Sequence, residues 1–186
     1  MRITLPDVCA IVHAGDVILV RDRKPGLIQE GIDHFERGDV NHCICCMGGT
    51  LLVEADAFGV QWSDLRNYLG GKHDLFIRRL RQEPTPATAR PITDFWQAQV
   101  GHKYGYGFIV GFIPRYFGWK WAQVQVDRWL GSKGSEFCSM LGVMGLRQLA
   151  PVLPAERADA VSPEMLQNAP ELAAVVTLPA PDLEDA

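Results

Sequence analysis

Val40-Asn41-His42-Cys43-Ile44-Cys45-Cys46-Met47-Gly48-Gly49-Thr50-Leu51-Leu52-Val53-Glu54-Ala55 is the stretch on which the fold turns. It holds two β-prone runs, Val40 to Met47 and Thr50 to Ala55, separated by adjacent glycines, the local signature of a β-hairpin. Side chains alternate along a strand, so His42, Ile44 and Cys46 share one face while Cys43, Cys45 and Met47 share the other. Register then decides the chemistry. A three-residue loop, Met47-Gly48-Gly49, places His42 directly opposite Glu54; a two-residue loop places it opposite Ala55 and turns Glu54 to the other face.

Upstream, Cys9 to Ala14 reads as a β-rich entry, and Gly15-Asp16 turns the chain into a buried strand that runs to Asp22. Pro25 opens a helix whose apolar positions Ile28, Ile32 and Phe35 follow Leu27 at helical steps and end near Gly38. Downstream of Gly59-Val60, Ser63 and Asp64 are expected to cap a short helix through Tyr68, closed by Gly70-Gly71. Leu75 to Leu80 reads as another strand.

Glu83 to Pro91 carries three prolines and reads as a loop, after which Thr93 is expected to cap a helix bearing Phe95, Trp96 and Val100. An aromatic-rich insertion fills residues 105–130. Ser135 then caps a helix through Leu149 with Phe137, Leu141, Met144 and Leu149 on its apolar positions, and Ser162-Pro163 starts one more short helix. The expected fold is α+β and papain-like: a small, mostly antiparallel sheet or partial barrel, largely from residues 8 to 80, packed on helices that include 135–149. Residues 1–170 form one domain in this reading, and 171–186 an acidic Ala/Pro-rich tail.

The composition suits an ordinary globular chain: 186 residues, 47% hydrophobic and 22% charged, with a formal charge of −4. That charge, spread without long runs, offers no footprint for nucleic acid. Lys72, Arg78, Arg79 and Arg81, the densest basic group, read as a solvated edge. The run Val17 to Val20 is too short for a signal sequence or a membrane span, so a cytoplasmic protein is expected. Five cysteines without regular spacing point to reduced thiols.

Cys138 falls in the first turn of the expected 135–149 helix, where unpaired N–H groups and the positive end of the dipole favour a thiolate. Among the five histidines, His42 is the candidate base, because the hairpin can hand it Glu54 as the group that orients its ring. The Cys43-Ile44-Cys45-Cys46 cluster splits between two faces, so no metal site and no cofactor is expected from it.

Several segments, in this order, resemble the circularly permuted NlpC-type, papain-like cysteine hydrolases, a group related to the lecithin retinol acyltransferase-like proteins. They are Gly15-Asp16-Val17-Ile18-Leu19, the helix before Val40-Asn41-His42, Gly49 to Ala55 with Gly59-Val60, Gly101-His102-Lys103-Tyr104, and Glu136-Phe137-Cys138-Ser139-Met140-Leu141. The similarity spans roughly residues 8 to 168 and implies a Cys138-His42-Glu54 triad. It implies attack on an amide or ester carbonyl through a thioester, and places Tyr104 as a substrate-side hydroxyl. The expected substrate is a small molecule, peptide or lipid amide. The departures are the aromatic insertion and the cysteines around Ile44. Acyl transfer on the same thioester, or a catalytically idle binding or structural module on the same fold, are the alternative functions.

Overall fold

The computed structural model describes residues 3–23, 40, 42–56, 59–102 and 138–180. The expected helix after Pro25, the whole aromatic insertion with Tyr104, and the Ser135 cap lie outside the described residues. Among those described, the centre is an antiparallel sheet of six strands: β1 (Val17–Asp22), β2 (His42–Gly48), β3 (Leu51–Asp56), β4 (Gly59–Asp64), β5 (His73–Leu80) and β6 (Leu172–Leu178). Their spatial order is β4-β3-β2-β1-β5-β6. The architecture is α+β.

Both faces are apolar because the central strands alternate between two hydrophobic layers. On one face Val17, Leu19, Cys43, Cys45, Val53 and Ala55 pack under α2 (Arg90–Gln99), α3 (Cys138–Leu146) and α4 (Pro163–Gln167). On the other, Ile18, Val20, Ile44, Cys46, Leu52, Leu75 and Ile77 pack under α1 (Leu5–Ile11) and a 3-10 turn, Leu65–Tyr68.

Four expectations need correction. Cys9 to Ile11 belongs to a helix, not a β entry: Val8 and Val12 fall at helical spacing on the sheet, Pro6 sits in the first turn, and Asp7 accepts from the Thr4 N–H at 2.9 Å. Residues 59–64 form a full strand, β4, whose last two residues, Ser63 and Asp64, were expected only as the cap of a short helix. The helix expected after Thr93 begins earlier, at Arg90, with Pro91 in its first turn; the Thr93 hydroxyl instead donates to the Arg90 carbonyl at 3.1 Å. The segment read as the start of a tail supplies edge strand β6, whose Val175-Val176-Thr177 run fits a pleated surface.

The Asp64 cap holds: its carboxylate accepts from the Arg66 N–H at 2.9 Å and starts the 3-10 turn. The basic group is not a solvated edge throughout. Arg79 is buried against Asp16, and Arg81 donates to the Pro170 carbonyl at 2.6 Å.

α3 is buried on nearly every side, including Leu141, Gly142, Val143, Gly145 and Leu146, whereas Met144, expected on its apolar face, is only partly buried. Cys138, Gly142 and Gly145 recur at helical steps, and the two glycines let the helix lie close to its neighbours. A Cβ on Gly142 would stand 2.8 Å from the Cys43 sulfur, and one on Gly145 2.0 Å from Trp96 Nε1. The Trp96 indole passes over Gly145 to donate to the Leu141 carbonyl at 2.9 Å. Gly145→Ala must therefore displace the indole or the helix; the overpacking should cost about 1–3 kcal/mol. Urea unfolding should show a lower midpoint with an unchanged slope.

Candidate active site

The hairpin register is neither of the two weighed above. Ile44 lies opposite Glu54, Cys45 opposite Val53 and Cys46 opposite Leu52, after which Met47 is bulged and Gly48 pairs with Leu51. Gly49 takes φ +59 at the first position of the remaining Gly49-Thr50 loop, a backbone conformation suited to glycine. The Gly49-Thr50 turn and the bulge together move the pairing by two residues from the three-residue-loop register. An even shift preserves the face. Glu54 stays with Ile44 and His42, as a diagonal neighbour of the histidine instead of a direct one.

That diagonal closes into a contact: His42 Nε2 and Glu54 Oε2 stand 2.8 Å apart, part-buried. By alternation both belong to the α1 side of the sheet, whereas Cys138 packs with Cys43 and Cys45 on the α3 side. His42 is the first residue of β2 and Cys138 the first described residue of α3. The two meet at this end of the sheet, where the His42 ring also interacts with the Cys138 thiol as a hydrogen-bond partner. With Nε2 engaged by Glu54, Nδ1 is the ring nitrogen left for sulfur. Cys138 itself is 9% exposed.

Burial by itself would pull the His42 pKa down. Its partners, Cys138 and Glu54, outweigh burial by hydrogen bond and charge and raise it from 6.5 to about 10. Burial alone would raise the Glu54 pKa, but hydrogen bonds and charge from His42, with hydroxyls of Ser63 and Tyr68, bring it from 4.5 down to about 2. The site is therefore built as imidazolium and carboxylate. The stability contributed by protonated His42 is complete below pH 6.5 and lost as pH rises toward 10; that of ionised Glu54 is complete above pH 4.5 and lost as pH falls toward 2. The stability gap between the native protein and Glu54→Gln should be widest between pH 4.5 and 6.5 and narrow on both sides. Thermal melts of the two proteins across pH 3–10 (about, by choice of buffers) measure it.

The cysteine cluster divides between the faces as alternation dictates. Burial pushes the thiols of Cys43 and Cys45 well up, and that of Cys46 to about 12. Among the described residues no group of three or more His, Cys, Asp or Glu side chains is placed to hold a metal ion. Tyr104 lies outside the described residues, but the chain leading to it is anchored nearby. Gly101 N–H donates to the Val60 carbonyl at 2.8 Å, and Val60 N–H to the His102 carbonyl at 2.7 Å. Val60 pairs with Ala55, next to Glu54.

Tyr68 is the site residue that sequence reasoning missed: its hydroxyl donates to Glu54 Oε2. The available signal was β4. Reading Gly59 to Asp64 as a strand antiparallel to β3 would have brought Ser63 and the turn after Asp64 back beside Glu54.

No helix among the described residues is long and apolar enough to cross a membrane. The chain matches no protein-family model and no curated protein.

Proposed function

We propose that the protein is a cysteine-nucleophile hydrolase of amide bonds, in substrates of peptide or lipid-amide type, on a papain-like fold. The observation that carries this reading is the polar string Cys138, His42, Glu54, in which the thiol of the first described residue of α3 meets an imidazole whose Nε2 is held by a buried carboxylate. A core histidine needs one partner. One bonded on both sides, by sulfur and by carboxylate, is arranged for proton transfer.

In the proposed reaction the Cys138 sulfur attacks the carbonyl carbon and a C–S bond forms. His42 gives its proton to the leaving nitrogen as the C–N bond breaks, leaving a thioester on Cys138. His42 then takes a proton from water, whose oxygen attacks the thioester; the C–S bond breaks and the electron pair returns to sulfur. Glu54 stays ionised throughout, holding the ring in one orientation and stabilising the imidazolium. An acceptor amine or hydroxyl in place of water gives acyl transfer by the same steps.

The reading is tested by alkylation with iodoacetamide at about pH 6.5, followed by peptide mapping. Cys138 should be modified at least about tenfold faster than Cys9, Cys43, Cys45 or Cys46, because the His42 imidazole stands beside its sulfur. Equal rates across the five cysteines would remove Cys138 as nucleophile.

A further inference from the structure

We infer that Tyr68 is a positioning residue of this site, its hydroxyl fixing through Glu54 Oε2 the carboxylate that orients His42. The inference rests on the cysteine-nucleophile reading above and adds to it a fourth member, drawn from a different part of the chain.

Glu54 Oε2 is the oxygen that bonds His42 Nε2, and it is also the oxygen that accepts from the Tyr68 hydroxyl. A carboxylate held at one oxygen by a single donor can still swing about its last torsion. Two donors converging on that oxygen from different elements remove the freedom, because any rotation that keeps one bond breaks the other. One donor comes from the start of β2 and the other from the 3-10 turn after β4. The imidazole inherits the constraint: with Nε2 tied to a fixed atom, Nδ1 keeps its aim at Cys138.

Tyr68 is itself well held. Asp64 caps the turn that carries it, and the tyrosine ring lies against the His73 ring, with centroids 5.5 Å apart at 57°. His73 in turn is bonded through Nδ1 to Asp22, at the end of β1. Side chains on four strands and the turn thus support one carboxylate. The groups that face Glu54 are His42 of β2, Ser63 and Gln61 of β4 and Tyr68, with His73 and Asp22 behind the tyrosine ring. Of these, His42, Ser63 and Tyr68 favour the ionised carboxylate by hydrogen bonding.

Tyr68→Phe keeps the ring against His73 and deletes only the donor. Two readouts separate positioning from mere structure. The first is the Glu54 side-chain carboxyl signal, followed by carbon NMR against pH, whose midpoint should move up in Tyr68→Phe because a donor to the ionised form is gone. The second is the rate at which p-nitrophenyl acetate acylates Cys138 at neutral pH, which should fall roughly tenfold while the protein stays folded. Incorporation of 3-fluorotyrosine at position 68, which retains the donor, should restore the native acylation rate; 4-fluorophenylalanine, which fills the space of the hydroxyl without donating, replaces phenylalanine if that impairs folding. If the carboxyl midpoint moves but acylation does not, while His42→Ala still slows acylation, Tyr68 is structural only and the inference is overturned. An unmoved midpoint overturns it as well. If His42→Ala leaves acylation unchanged, the nucleophile reading itself falls and the role of Tyr68 falls with it.

Discussion

Asp16→Ala should lower the folding free energy by about 3–5 kcal/mol, because it strands a buried guanidinium. Asp16 is fully buried and Arg79 is 9% exposed, and the two form a forked pair, Nε to Oδ1 and Nη2 to Oδ2, both at 2.8 Å. The remaining bonds are local: the His13 N–H donates to Asp16 Oδ2 at 2.8 Å, and Arg79 Nη2 also donates to the Ile11 carbonyl at 2.8 Å. The pair therefore fixes the end of α1 and the entry to β1 against β5, one strand away from β2. A single-domain protein is stable by only about 5–15 kcal/mol, so the loss is a large part of the total. Asp16→Ala combined with Arg79→Met should recover much of it, since the cost lies in the unpaired charge more than in the absent bridge. Urea unfolding of the single and double variants measures both. A loss under about 1 kcal/mol in Asp16→Ala would mean that water reaches the guanidinium.

His42→Ala is expected to slow acylation of Cys138 by about a hundredfold to ten-thousandfold, the range that a positioned proton-transfer group supplies. The loss is large because alanine removes the positive charge beside the sulfur and the proton donor for the leaving group; the base that activates water in the second step goes with them. Folding should suffer less than catalysis. His42 is the first residue of β2 and packs at the sheet's end, not at its centre. The assay is the burst of p-nitrophenolate from p-nitrophenyl acetate, referred to Cys138→Ala as the blank.

The hairpin was legible because glycine spacing and alternation are local, and the pairing of His42 with Glu54 survived an error in register. The bulge at Met47 was invisible, since nothing in Cys46-Met47-Gly48 distinguishes a bulged residue from a loop residue; only the even size of the shift kept Glu54 on the face of His42. Helix α1 was missed because Ile11-Val12 invited a strand by composition, while Thr4, Pro6, Asp7 and the spacing of Val8 and Val12 already wrote a capped helix. Strand β6 was hidden by a flank rich in alanine and proline, and its edge position comes from pairing with β5, a contact across more than ninety residues of chain (about, by sequence position) that no local pattern announces. Tyr68 depended on β4, and β4 on the third strand of a meander that reads only weakly, since Gln61 and Trp62 are exposed.

The most direct measurement is a mass spectrum of the protein quenched in acid within seconds of mixing with p-nitrophenyl acetate. The proposed mechanism predicts one added acetyl group per chain, mapped to the peptide containing Cys138, released by hydroxylamine at neutral pH as a thioester is, and lacking in His42→Ala at the same time point. Acetylation spread over lysines and resistant to hydroxylamine, or a Cys138 adduct that forms equally fast without His42, would contradict it.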